Sequence, residues 1–182
     1  RSVRYFKGQL EVQGDPKRWA YDTVPVGLAA SPHRCADEDA NHNGILDPGE
    51  DGGPNPTDNP TGNGNGQIEA GNIALVAAVP SNASASAPCD AVGSGAQGVA
   101  ANVTTNSQGQ ARVCVFYPQN YNLWLEARIE AKASVQGTEF AEHQVFVLEA
   151  LASDLTNTTA DPPGRVSPFG PIGDANNDLD CK

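Results

Sequence analysis

The sequence has little of the material from which catalytic sites are built. It contains no methionine and only three histidines, His33, His42 and His143, which are scattered along the chain. No Ser/His/Asp arrangement, phosphate-binding loop or zinc-ligand spacing accompanies them. These absences argue against an enzyme, and we predict a non-catalytic protein.

Basic residues and long apolar stretches are also scarce. The 182 residues include 11 lysines and arginines against 22 aspartates and glutamates, which gives a net charge of −11. A nucleic-acid backbone would repel such a chain. No stretch approaches the roughly 18 apolar residues of a membrane-spanning helix. The composition therefore predicts no nucleic-acid partner and no membrane span.

No pair among the four cysteines forms a C-x-x-C motif. This absence disfavours a zinc site and a redox motif, and it favours disulfides formed in an oxidising compartment. Four cysteines allow three pairings. We predict one bond within the β domain, between Cys89 and Cys114, and one that ties the end of the chain to the segment after Cys35, between Cys35 and Cys181.

The most specific feature present is the segment 39–50, with the sequence DANHNGILDPGE. It matches the twelve-position calcium loop D-x-[DN]-x-[DN]-G-x5-E at every specified position. A calcium ion prefers oxygen ligands, and Gly44 permits the sharp turn between them. The predicted ligands of a first calcium ion are Asp39, Asn41, Asn43, the carbonyl of Ile45, Asp47 and Glu50. The alternative is a polar surface loop that binds no ion.

The usual flanking helices of such a loop are not predicted. Pro48 and Gly49 disfavour a helix that leaves the loop, and Ser31-Pro32 does not lead a helix into it. A calcium sensor needs those helices as lever arms. The sequence therefore predicts a structural site that stabilises the fold.

A weaker copy of the loop spans residues 61–72, where Thr61 and Asn72 replace the two carboxylates at its ends. Either Asp51 or Asp58 could supply the missing charge. A second calcium ion and a loop that merely forms a turn are both open interpretations. The candidate ligands of the second ion are Asp58, Asn63, Asn65, the carbonyl of Gln67, Glu69 and Asn72.

The remaining pattern predicts an all-β fold. Residues 123–135 alternate strictly, with apolar side chains at odd positions and mainly charged ones at even positions, as in a half-buried antiparallel strand. Further strands are predicted near residues 3–13, 19–26, 73–79, 99–104, 110–117 and 139–149. We expect one antiparallel β-sandwich over residues 1–152 with the calcium insertion at 35–72. Residues 153–182 are predicted to form an extended C-terminal tail.

Three aromatic residues allow two interpretations. Trp19 and Tyr21 share one face of a predicted strand, and Trp124 begins another. We expect these rings to lie in the core or at an interface. The alternative is that they form an exposed platform that binds carbohydrate or a receptor.

Several segments resemble a known family. Residues 104–111 (TTNSQGQA) and 115–118 (VFYP) resemble the turn and strand of bacterial Ig-like domains of group 1, the invasin/intimin type. Residues 35–50, 63–72 and 137–139 resemble Ig-like domains with calcium loops at the C-terminal ends of proteobacterial surface proteins. Residues 167–170 (SPFG) and the late Cys181 are similar to that group too. The resemblance covers about residues 35–182, and it departs from the family at Thr61 and at the spacer 52–60.

The resemblance implies an Ig-like antiparallel β-sandwich on the bacterial cell surface or in the extracellular space. It also implies a structural or adhesive role without catalysis. The expected partners are other domains or copies of a surface protein or fibre, and the alternative partner is a glycan or a host receptor.

Overall fold

Antiparallel strands make up most of the regular structure in the computed structural model of the protein. The structure describes residues 1–21, 33–51, 66–84, 88–89 and 97–170. Within these ranges the chain forms eight strands and one short α-helix. They are β1 (Ser2–Lys7), β2 (Leu10–Gln13), β3 (Arg18–Tyr21), β4 (His33–Ala36), β5 (Leu75–Ala78), β6 (Val113–Phe116), β7 (Leu125–Val135), β8 (Thr138–Val147) and α1 (Ala152–Thr156). The predicted all-β class is confirmed, whereas the Ig-like sandwich arrangement stays a prediction.

The chain divides into two compact units, residues 1–71 with 119–182 and residues 72–118. The first unit contains an antiparallel sheet in the order β4-β1-β7-β8 and the hairpin β2-β3. The second unit contains the antiparallel pair β5-β6. No helix in the described part of the chain has the length and hydropathy needed to cross a membrane. The predicted division at residue 152 stays a prediction.

Strand β1 is central to the first unit because it pairs with β4 on one side and with β7 on the other. Tyr5 lies opposite Cys35 in β4 and opposite Leu125 in β7. Tyr5 and its neighbour Phe6 are both buried although they point to opposite faces of the strand. Both faces of β1 are therefore covered at this point, as expected of a strand in the interior of a fold.

The core of the first unit is aromatic. Phe6, Leu10, Trp19 and Trp124 form one buried cluster. The indole N–H of Trp19 donates to the carbonyl of Asn157 at 2.8 Å. A buried indole needs such an acceptor, because an unsatisfied N–H would cost free energy. The packing of the cluster therefore depends on residues that follow β8.

Residues within the predicted C-terminal tail also contact β1. The hydroxyl of Ser167 donates to the carbonyl of Phe6 at 2.6 Å, and the Phe169 ring lies 4.7 Å from the Tyr5 ring. Ser167 is buried, and α1 lies at the start of the same region. The described part of this region therefore contributes directly to the core.

The predicted burial of β7 is correct only near its start. Leu125 and Ala127 are buried on the predicted apolar face. Trp124, assigned to the charged face, is also fully buried, because it lies just before β7 in the aromatic core. From Glu130 to Ser134 both faces are exposed, since β7 pairs there with β8 alone. The two-residue period shows correctly which side chains share a face of the strand, but it does not show which face is covered by other residues.

The second unit contains the predicted disulfide between Cys89 and Cys114, with an S–S distance of 2.11 Å. Cys114 lies on β6 and is buried, whereas Cys89 lies in an exposed segment. In the chain-entropy model, closing a loop of this size stabilises the fold by about 3–4 kcal/mol. The bond therefore fixes a segment that has few apolar side chains of its own.

Candidate metal site

The predicted calcium loop curls around the carboxylate of its first residue. The two oxygens of Asp39 accept hydrogen bonds from the backbone N–H groups of Asn43 at 2.9 Å and Gly44 at 2.8 Å. Gly44 has a φ of +77°, which an L side chain rarely adopts. The sixth position therefore needs glycine because the chain reverses there to reach Asp39.

The two asparagines tighten the same curl. The side-chain oxygen of Asn41 accepts the N–H of Asn43 at 3.0 Å, and that of Asn43 accepts the N–H of Ile45 at 2.7 Å. Such local bonds are the reason that asparagine favours turns over regular structure. The Ile45 side chain is 62% exposed, so it takes no part in the core.

Glu50 closes the loop with both carboxylate oxygens. One oxygen accepts the N–H of Asn41 at 3.2 Å and the other accepts the N–H of Asp47 at 2.9 Å. Asp39 and Glu50 are 3% and 7% exposed, so the first and last predicted ligands are both buried. Asp47 accepts the side-chain amide N–H groups of Asn41 at 2.6 Å and Asn43 at 2.8 Å. The loop therefore brings all the predicted side-chain ligands of the first ion into one hydrogen-bonded group.

The carboxylates do not converge into a cluster in this conformation. Among the described residues, no three His, Cys, Asp or Glu side chains lie close enough to hold a metal ion. Half of the six predicted ligands are amides or a carbonyl, and the amide N–H groups of Asn41 and Asn43 point at Asp47. The donor chemistry still fits calcium, because the loop offers only oxygen ligands and buries two carboxylates. Calcium binding itself stays a prediction.

A buried acid beside the loop was missed by the sequence analysis. Glu38 is fully buried, its backbone N–H donates to the carbonyl of Glu69 at 2.7 Å, and its carboxylate accepts the N–H of Glu69 at 3.0 Å. Burial also raises the pKa of the neighbouring Asp37 to about 6. The run Asp37-Glu38-Asp39 resembles a solvated acidic surface, so no sequence signal distinguishes Glu38.

The second loop is described only in part. Asp58, Asn63 and Asn65 lie outside the described residues, and Asn72 and the Gln67 side chain are exposed. In the described part of the second loop, the backbone N–H of Gly66 donates to the carboxylate of Asp51 at 2.5 Å. This contact repeats the one between Asp39 and Gly44 at the same position of the first loop. Of the two acids proposed from the sequence, Asp51 thus has a described contact with the second loop.

The three candidate aromatic ligands belong to the core of the first unit. Trp124 is fully buried, Trp19 is 8% exposed, and the Tyr21 ring contacts the Trp124 ring edge-on at 5.2 Å. The Tyr21 hydroxyl donates to the carbonyl of Leu123 at 2.5 Å. The predicted alternative, an exposed aromatic platform, is therefore absent at these positions, because the rings pack against each other.

Burial of Tyr21 predicts a specific alkaline instability. Burial raises the pKa of Tyr21 to about 12, whereas an unfolded chain ionises near about 10. The neutral hydroxyl therefore stabilises the fold fully below pH 10, and this contribution is lost as the pH rises through 12. Tyr21→Phe should cost about 1 kcal/mol at neutral pH through the lost hydrogen bond. Urea unfolding of the native protein and of Tyr21→Phe from neutral pH to pH 11 measures both effects. If the free energy of unfolding fell equally steeply with pH above pH 10 in the two proteins, the prediction would be wrong.

The second predicted disulfide lies partly outside the described residues. Cys35 is buried on β4, opposite Tyr5 of β1. Its predicted partner, Cys181, is outside the described part, so the pairing of Cys35 with Cys181 stays a prediction.

Comparisons with protein-family models, curated proteins and solved structures find no match.

Proposed function

We propose that this chain is a non-catalytic β module of an extracellular bacterial surface protein or fibre, stabilised by calcium and by disulfides. The observation that carries this proposal is the closed loop 39–50. Its two terminal carboxylates, Asp39 and Glu50, are buried and held by N–H groups of the loop. Burying like charges costs free energy unless a positive charge offsets it. A bound calcium ion would supply that charge, and its binding free energy would add to folding.

Calcium would act here on the whole first unit. Glu38 bonds to Glu69 through both its backbone and its side chain, so the first loop is tied to the second. Asp37, next to Glu38, donates its backbone N–H to the carbonyl of Val3 on β1 at 3.1 Å. Ordering of the loop would therefore stabilise the pairing of the edge strand β4 with β1. Asp51 is the carboxylate we assign to a second ion, through its contact with Gly66.

The extracellular location rests on chemistry and on the resemblance. The Cys89–Cys114 bond favours an oxidising compartment. Calcium loops of extracellular modules bind at about 0.1–1 mM, which suits the calcium level outside cells. The net charge of −11 fits a protein in which bound calcium neutralises part of the acidic surface.

The proposal predicts that calcium raises thermal stability. At about 10 mM calcium, a site with a dissociation constant of about 0.1–1 mM adds roughly 1–3 kcal/mol. For a chain of this size that corresponds to a Tm higher by roughly 2–10 °C than in excess chelator. Glu50→Gln should abolish most of the shift, because it removes the charge and one of the closing ligand oxygens.

The measurement is thermal unfolding of the oxidised protein with calcium and with chelator, combined with calorimetric titration to count the ions. Glu139→Gln is the matched control, since it neutralises an exposed carboxylate on β8 and should leave the calcium shift intact. An equal Tm in calcium and in chelator would refute a structural calcium site. A shift that persists in Glu50→Gln would place the ion elsewhere.

A further inference from the structure

The far part of the β7-β8 hairpin has no covering layer in the described structure. We name residues 129–144 the hairpin arm. Every residue from Glu130 to Gln144 whose side chain is described is exposed, and Phe140 is 60% exposed. Gln136 and Gly137 form its turn with φ values of 52° and 81°, as a two-residue hairpin turn requires. A two-stranded hairpin alone is only marginally stable in water, so this arm would gain stability from added strands.

The outer edge of β8 is unusually regular. The pairing of β7 with β8 runs without a bulge from Glu126↔Val147 to Val135↔Thr138, and β8 contains no proline. Natural proteins protect exposed edges with bulges, prolines, short strands and charged side chains, because an open edge pairs readily with another chain. Strand β8 carries the charges of Glu139 and Glu142 but has no bulge or proline over its ten residues, so its backbone offers a template for a further strand.

The backbone geometry shows which groups face outward. Leu148, just after β8, donates its N–H to Leu125, so even-numbered residues face β7. The N–H of His143 instead bonds the carboxylate of Glu142 at 3.0 Å, and the carbonyl of Val145 accepts the Gln144 amide at 2.9 Å. Odd-numbered residues of β8 thus direct their backbone groups away from β7. Within the described part of the chain, the bonds given to these two outward groups come from neighbouring side chains of the same strand.

We propose that β8 pairs antiparallel with β8 of a second copy, about a two-fold axis at His143. In this register Phe140 lies opposite Phe146 of the second copy, and Glu142 lies opposite Gln144. Aromatic pairs across strands stabilise a sheet, and no carboxylate directly faces another. Shifting the axis to Glu142 would place two carboxylates opposite each other, which is destabilising. The pairing would join two hairpin arms into one four-stranded sheet with an isologous interface.

Single cysteines test the register. In His143→Cys the two introduced residues would form a hydrogen-bonded pair with a Cα–Cα distance of about 5.5 Å, which suits a disulfide. Ala141 would face Val145 of the second copy, so Ala141→Cys alone places its two cysteines about 13 Å apart. We expect mild oxidation of the folded protein to cross-link His143→Cys into a dimer that reductant reverses. Ala141→Cys and Val145→Cys should cross-link only when mixed.

Sedimentation of the native chain provides the second readout. A monomer–dimer equilibrium is expected, in chelator as well as in calcium, because the interface uses no residue of the calcium loop. Ala141→Pro should shift it to monomer, since proline removes an outward N–H while an edge strand tolerates the residue. A native chain that stays monomeric, with His143→Cys cross-linking no better than Ala141→Cys, would overturn the proposal. Larger open-ended species would also overturn the closed two-fold dimer.

Discussion

Replacing Trp124 with alanine is expected to remove a large part of the stability of the first unit. The side chain is fully buried among Phe6, Leu10 and Trp19, and its indole N–H donates to the carbonyl of Gly164 at 2.5 Å. Truncating a buried tryptophan to alanine typically costs about 3–5 kcal/mol. Whole domains are commonly stable by only about 5–15 kcal/mol. The variant should therefore unfold at a Tm lower by roughly 6–20 °C.

Denaturant unfolding followed by circular dichroism measures this loss without relying on tryptophan fluorescence. Trp124→Phe should lose less, because it keeps a ring in the core but leaves the Gly164 carbonyl without this donor. Leu151→Ala is the control, since Leu151 is 56% exposed and its truncation should change stability little. A loss below about 1 kcal/mol in Trp124→Ala, the range of surface substitutions, would contradict the aromatic core.

Gly164→Ala is expected to be nearly as damaging although it adds a single methyl group. Gly164 has a φ of +71°, and its added Cβ would overlap the backbone oxygen of Asn120 and lie 2.9 Å from that residue's carbonyl carbon. The strained backbone costs about 1–3 kcal/mol, and overpacking a further 1–3 kcal/mol. Backbone atoms cannot rotate away as a side chain can, so we expect a total loss of roughly 2–6 kcal/mol.

Gly137→Ala separates the two causes, because Gly137 has a φ of +81° but nothing within 4 Å of the added methyl group. It should lose only the conformational part. The Gly164 carbonyl accepts the Trp124 indole, so the two sites should be coupled. The double variant Gly164→Ala with Trp124→Phe is therefore expected to lose less than the sum of the single losses. Denaturant unfolding of the native protein and the four variants measures this, and equal losses at Gly164 and Gly137 would rule out the close approach to Asn120.

Local patterns predicted the strands that carry strict alternation or strong turns. The alternation in residues 123–135 identified β7, and the strand predicted near residues 139–149 corresponds to β8, because side-chain period is a property of the local chain. Strand β4 was not predicted, since its four residues show no alternation and form a strand only by pairing with β1. A strand near residues 99–104 was predicted but is absent from the structure.

The candidate site could also be predicted where its contacts are local in sequence, but not where they join distant residues. The loop motif selected residues of 39–50 whose side chains the structure joins by hydrogen bonds that are local in sequence, and their role as calcium ligands stays a prediction. The roles of Glu38 and Asp51 depend on contacts 31 and 15 residues away, which no local pattern encodes. Trp19 and Trp124 were expected in the core or at an interface, and both are buried. Their burial depends on acceptors at Asn157 and Gly164, which the sequence does not connect to them.

The central position of β1 has a consequence for how the chain reaches its folded state. The bond from Ser167 to Phe6 joins residues 161 positions apart, and that from Trp19 to Asn157 joins residues 138 apart. Chains dominated by such distant contacts fold slowly, because a large loop must close before the contacts can form. During synthesis β1 emerges before β7 and before the residues that follow β8, so it has to wait for these partners. Strand β1 therefore stays without them during this interval, when it is vulnerable to misfolding and proteolysis.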